Sequence, residues 1–203
     1  MITGPRYKVA RRLGTSVYDK TQSQKYAMRA GSKDVKRTKR AGSDFGLQLI
    51  EKQRARFTYG LGERQFKNLV EKVLAKKGAD ININDALVQA LEIRLDNAIY
   101  RLGFAPTRQA ARQMVNHGHI DVNGKRNTIP SYSLKVGDII TIRENSKKKA
   151  LFANVDEKIK EQKIPSWLAL NVEKKEAKVQ GLPKIPENEL SFDVSQIFQY
   201  YSR

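Results

Sequence analysis

The 203-residue chain contains no cysteine, and that absence removes several chemistries at once. Disulfides, thiolate nucleophiles and zinc sites built on thiolates all need it. No apolar run approaches the roughly 18 residues that a membrane-spanning helix requires. The opening "MITGPRYKVARRLG" has neither the apolar core nor the small-residue cleavage site of a secretory leader, so an intracellular chain is expected. Histidine is nearly absent, with two residues, and acid is scarce: 21 Asp and Glu stand against 39 Lys and Arg, a net charge of +18. Such a field attracts a polyanion, either nucleic acid or an anionic membrane surface. With 39% hydrophobic residues and a mean hydropathy of −0.61, the chain can bury a core beneath an unusually polar surface. Its length fits one large domain or two small ones.

The excess charge is not evenly spread. Residues 1–44 hold 12 basic and 3 acidic residues, and 94–150 hold 11 and 4. Residues 45–93 hold 8 and 6, while 151–203 are neutral with 8 of each. Two phosphate-contacting regions joined by ordinary structure would give this distribution.

Residues 1–44 show little periodicity and read as a basic arm with loops and no more than one helical turn, ordering only against a partner or the following helices. From Ser43 or Asp44, either of which can cap, a helix carries Leu47, Ile50 and Phe57. "TYGLGER" breaks it. Phe66, Leu69, Val70, Val73 and Leu74 then mark an amphipathic helix. Asn84 or Asp85 caps a stretch in which Leu87, Leu91, Leu95, Ile99 and Leu102 share one face, and a second unit begins near Arg94. There a helix through "RLDNAIYRLG" precedes Thr107, an N-cap for a helix over 108–117, which Gly118 ends in the left-handed conformation. Ile120 and Val122 alternate before Asn123-Gly124, a strong hairpin signal, and "VGDIITIRE" supplies another strand. The tail, 151–203, reads as loops with one or two extended pieces packing back onto the body. The fold class is therefore α+β: a mainly helical N-terminal bundle (45–93, continuing with the tail) behind a basic arm (1–44), plus a two-helix, small-sheet domain over 94–150.

Chemistry is weighed at "NHGHID". His117, His119 and Asp121 are spaced as ligands on one strand would be, but Gly118 splays the histidines and no third histidine exists. Shaping a helix-to-strand corner and hydrogen bonding to a polyanionic partner account for them better than catalysis or a metal. Arg108 and Arg112 are i,i+4 neighbours on one helix face with no acid on that helix, and Arg101 lies on the preceding one. Guanidinium forks there suit successive phosphates. Lys125 and Arg126 extend the same surface beyond the hairpin turn, and Arg94, Thr107, Asn116, His117, His119 and Asn123 complete the candidate polyanion-binding surface of this domain. In the bundle, Gln53, Arg54, Arg56, Tyr59, Arg64 and Gln65 form a second one, in which stacking on a base and helix packing are equally good accounts of Tyr59. In the arm, Arg11-Arg12 and the run containing Lys36, Arg37, Lys39 and Arg40 are candidate phosphate clamps. No Walker-type loop, nucleophile elbow or zincin motif is present, so no catalytic residue is assigned.

"RLDNAIYRLGFAPTRQAARQMVNHGHIDVNGKR…IPSYSLKVGDIITIRE" resembles the RNA-binding domain named after the fourth small-subunit ribosomal protein. "GPRYKVARRLG", "FGLQLIEKQRARFTYGLGERQF", "IPSWL" and the closing "YYSR" extend the resemblance to the bacterial-type ribosomal family itself, over nearly the whole chain. The domain also occurs in pseudouridine synthases, tyrosyl-tRNA synthetases and a heat-shock protein, but an enzyme of those kinds needs a catalytic domain for which this length leaves no room. A quality-control factor would lack the flanking motifs. Between Asp19 and Ser43 many members carry four zinc-binding cysteines or a "PPGQHG" stretch, and this chain has neither. The resemblance implies a structural protein of the ribosome, cytoplasmic or else organellar, with no cofactor, metal, small-molecule substrate or membrane. The implied partners are 16S-type rRNA, bound at a helical junction of the 5′ domain, neighbouring small-subunit proteins, notably number five, and mRNA where it enters the subunit. Roles in nucleating subunit assembly and in translational accuracy are implied with them.

Overall fold

The computed structural model describes residues 5–15, 17–18, 21–31, 42–75, 82–149, 152, 155, 159, 163–172, 174–186 and 189–202. The chain divides into two compact units, one formed by residues 1–87 with 185–203 and the other by 88–184.

The first unit is helical. The segment read as an arm contains two eight-residue helices, α1 (Arg6–Leu13) and α2 (Gln24–Gly31). Pro5 precedes α1, and Gly14, at φ 69°, ends it by donating its N–H to the Ala10 carbonyl, while Ala10 and Leu13 are buried. α3 (Asp44–Thr58) is capped by Ser43, whose hydroxyl accepts from the Gly46 N–H at 3.2 Å. α4 (Glu63–Leu74) buries Phe66, Val70 and Val73. α5 (Ile83–Glu92) starts earlier than expected: the Asn82 carboxamide, rather than Asn84 or Asp85, accepts the Asn84 N–H at 3.0 Å.

The second unit takes up the end of α5. The apolar face that looks continuous from Leu87 to Leu102 is shared by two helices, because the chain breaks at Arg94 before α6 (Leu95–Arg101). The carbonyls of Tyr132 and Pro130 accept the first N–H groups of α6, from Leu95 and Asp96, at 2.9 and 3.1 Å, so the break leaves no orphan donors there. α7 (Arg108–Asn116) is capped by Thr107, which accepts from Ala110 at 3.0 Å. Five short antiparallel strands follow: β1 (Ile120–Val122), β2 (Lys125–Asn127), β3 (Ile139–Ile142), β4 (Leu168–Asn171) and β5 (Glu176–Val179), in the order β2-β1-β3-β5-β4. A one-turn α8 (Glu144–Lys147) leaves β3. Ile99, Phe104, Met114, Ile120, Ile140 and Trp167 share one core with Phe152, Val155 and Ile159.

The tail therefore serves both units. β4 and β5 widen the sheet, with Ile140 facing Ala177 in the register. "DVSQIFQYY", read as loop or extended chain, is a helix, α9 (Val194–Tyr201), packed on α3. The Asp193 carboxylate caps it, accepting from Ser195 and Gln196 at 2.8 and 3.3 Å, and Val194 and Ile197 fall on its buried side.

Candidate nucleic-acid interface

The second unit holds its arginines in an ion network that spans two helices. Arg108 and Arg112 lack an acid on their own helix, but α6 and the end of α5 supply two. Asp96, 3% exposed, receives Nε and Nη2 of Arg112 on Oδ2 at 2.9 and 2.7 Å and is also paired by Arg94 at 3.1 and 2.9 Å. Glu92, wholly buried, takes Arg101 in a two-pronged contact at 2.9 and 2.8 Å. Asn97 links the two halves, donating to Glu92 at 2.8 Å and accepting from Arg108 Nε at 2.9 Å. The Arg108 guanidinium lies over the Tyr100 ring, 4.4 Å from its centroid.

These contacts fix where the cations point. Forked guanidinium–carboxylate pairs are directional, and a buried carboxylate is costly unless such pairing satisfies it. Arg101 and Arg112 keep 29% and 28% of their side chains exposed, so a pre-aimed positive edge faces solvent. Three arginines (94, 101 and 112) pair with the two carboxylates and Arg108 with Asn97, so the four cations outnumber the acids and the cluster is net positive. Arg94 is the exception among them: it is buried, and its part is to hold Asp96.

The hairpin supplies a neighbouring surface. Asn123 and Gly124 both have positive φ, 52° and 73°, and Val122 pairs with Lys125, as in a two-residue I′ turn. The Asn123 side chain is committed inward: its amide donates to Asp138 Oδ1 at 2.8 Å, and its oxygen accepts the Ile139 N–H at 2.9 Å. Lys125 and Arg126 are exposed. Arg126 folds across Gly118, donating toward the His117 carbonyl at 3.4 Å, and a Cβ on Gly118 would lie 2.1 Å from Arg126 Nε. Asn116 and His117 are exposed at the helix end.

His119 turns inward, contrary to the expectation that it faces RNA. It is 8% exposed, its Nδ1 meets Ser146 Oγ at 2.9 Å, and its ring packs edge-on to Phe152. Burial lowers its pKa below the usual histidine value, and the positive charges of Lys149, His117 and Arg126 lower it further.

In the helical unit the candidates divide. Arg11, Arg12, Arg64 and Gln65 are exposed, and Gln65 also accepts the Gly62 N–H at 3.4 Å, bracing the start of α4. Gln53 is partly buried. Arg54 donates to the Leu13 carbonyl at 2.8 Å and to Glu51, tying α1 to α3, and Arg56 pairs with Glu63 at 3.2 Å. Tyr59 is 4% exposed and packs edge-on to Phe192, so helix packing, not base stacking, is its part. Lys36, Arg37, Lys39 and Arg40 lie outside the described residues.

Sequence reasoning passed over Glu92, Asp96 and Asn97, although "EIRLDN" sets both acids beside the arginines. It also passed over exposed Lys148 and Lys149, whose signal was the triple-lysine run. Among the described residues no cluster of three or more His, Asp or Glu could hold a metal, and no helix is long and apolar enough to cross a membrane.

A small α+β unit presenting braced guanidinium groups beside a basic hairpin defines a class, an RNA-binding domain, and residues 93–140 match the family model described as the S4 domain. Residues 1–92 match the model described as the ribosomal protein S4/S9 N-terminal domain. The chain is similar to the small ribosomal subunit protein uS4 of Roseiflexus sp. (strain RS-1), 41% identical over 98% of both chains. It is likewise similar to that of Sulfurihydrogenibium sp. (strain YO3AOP1), 44% identical over 98% of this chain and 97% of the relative. A third relative, from Christiangramia forsetii, is 41% identical over 92% of each. The chain belongs to the uS4 family of small ribosomal subunit proteins, a family of structural RNA-binding proteins and not of enzymes.

Proposed function

We propose that this protein is a structural constituent of the small ribosomal subunit and binds 16S-type rRNA directly, at a helical junction of the 5′ domain, where it nucleates folding of the subunit body. The observation that carries this reading is the pair of buried carboxylates, Glu92 and Asp96, that aim the partly exposed guanidinium groups of Arg101 and Arg112, on the unit that also exposes Lys125 and Arg126. Junctions crowd phosphates, and A-form RNA is read through shape, phosphates and 2′-hydroxyls more than through base edges. Pre-aimed forks meet such a target without ordering long side chains on arrival, and counterion release supplies much of the affinity. Bound there, the protein would neighbour small-subunit protein number five and the path by which mRNA enters, and so bear on translational accuracy. Its place would be the ribosome of the cytoplasm.

The test is binding of the full chain to the 5′-domain RNA across a salt series, with the double substitution Arg108→Ala and Arg112→Ala. Losing two phosphate contacts should lower affinity and reduce the log–log salt slope by roughly 1.5–2. An unchanged slope overturns the phosphate role. Failure of the parent protein to sediment with free small subunits overturns the wider reading.

A further inference from the structure

Two tyrosines of the helical unit lie stacked at the surface, outside every role assigned above. Tyr7 of α1 is 47% exposed, and its ring lies against that of Tyr26 of α2 with centroids 5.6 Å apart and planes 21° from parallel. The buried aromatic pair of the same unit, Tyr59 with Phe192, instead meets edge-on at 74°. A near-parallel stack reaching solvent leaves ring surface uncovered, where a further flat π system can extend it.

The surroundings select what that system is. Arg6 and Lys8 flank Tyr7, Lys25 precedes Tyr26, and Arg11 lies one turn along α1 with its Nε donating to the Tyr7 carbonyl at 3.3 Å. All four are exposed, and among the described residues no carboxylate pairs with Lys8, Arg11, Arg12 or Lys25. An aromatic platform bordered by exposed cations fits a base on the rings with its flanking phosphates on the cations. Duplex RNA keeps its bases inside the helix, so the fitting ligand is an unpaired one, in a bulge, loop or single strand.

We infer that Tyr7 and Tyr26 form a stacking platform for one unpaired nucleobase of RNA. The inference rests on the rRNA-binding reading above and adds to it a site on the other unit. Stacking releases no counterions, whereas phosphate contacts do, and this separates the two. The experiment titrates the full chain with small-subunit rRNA at several salt concentrations, comparing the parent with Tyr7→Phe, Tyr7→Leu and Tyr26→Ala, each checked for an unchanged unfolding midpoint. Tyr7→Phe should bind within about twofold of the parent. Tyr7→Leu, which keeps an apolar side chain but no π face, should lose about 5–150-fold, as should Tyr26→Ala, with the salt slope unchanged in both. Ultraviolet crosslinking of the parent complex should place a base on Tyr7 or Tyr26. Tight binding by Tyr7→Leu at every salt concentration overturns the platform, even if that variant enters small subunits poorly, which would assign the patch to a protein neighbour. If the parent itself does not bind the rRNA, the underlying reading falls, and the platform with it.

Discussion

Asp96 holds two guanidinium groups with one carboxylate, and its neighbours are unequal. Arg94 is buried with it, whereas Arg112 is more than a quarter exposed. Removing Arg112 leaves Asp96 paired. Asp96→Ala strands Arg94 inside the protein, and urea unfolding should then show a loss of about 3–5 kcal/mol. It should also weaken RNA binding, because Arg112 loses its aim. Gly118 has two reasons to be glycine, its φ of 69° and Arg126 lying across its hydrogen. Gly118→Ala should cost about 1–2 kcal/mol from the backbone alone, and displacing Arg126 should lower RNA affinity further. At His119 the folded protein favours the neutral ring, since its pKa is depressed. Protonation therefore favours the unfolded chain. The stability tied to the neutral ring is present above the ordinary histidine pKa of about 6.5 and is lost as pH falls through that value toward the lower folded one. His119→Gln should flatten the fall in unfolding midpoint between neutral and mildly acidic pH. These residues show where sequence was transparent and where it was not. Thr107, Gly118 and Asn123-Gly124 act through their own backbone, so local spacing reveals them. The acid partners of Arg101 and Arg112, and the Asn97 partner of Arg108, lie on other elements, which spacing along one helix does not register.

Elements were legible where periodicity or punctuation marked them. α4, with three turns, announced itself by period. α1 and α2 have two turns each, too few for a pattern, and isolated helices so short are marginal without packing. Pro5 and Gly14 bracket α1 as helix punctuation would, a signal the dense charge obscured. α9 was hidden by composition: Val194, Ile197, Phe198, Tyr200 and Tyr201 lean toward strand, and only the spacing of Val194 and Ile197, the residues that reach the core, marks a helix. Its hold on α3 and α4 is polar as well as apolar. Lys52, nearly buried, meets Glu63 at 2.6 Å and lies 4.3 Å from the Tyr200 ring centroid, while the Tyr201 hydroxyl donates to Glu63 at 3.4 Å. Burial and then the Glu63 charge hold the Tyr201 phenol well above its ordinary pKa. Ile197→Ala, which hollows the buried face of α9, should cost about 2–5 kcal/mol in chemical unfolding.

At the scale of the molecule, the chain forms two compact units, each burying its own apolar residues. A fragment covering 82–184, which keeps α5 whole, is expected to unfold cooperatively by itself, with sheet signal in circular dichroism. A fragment ending at 150 lacks β4 and β5, leaves the Ile139–Thr141 edge unpaired, and should not. The helical unit differs, because its parts come from opposite ends of the sequence. Gln48 on α3 bonds to Gln199 on α9 across a separation of 151 residues. At synthesis rates of about 5–20 residues per second, that separation is a delay of about 8–30 seconds. Throughout it, the α3 surface that α9 will cover has no covering helix, and the second unit, whose last strand ends at Val179, has all its strands before α9 is made. The part of the protein begun first is thus the part finished last.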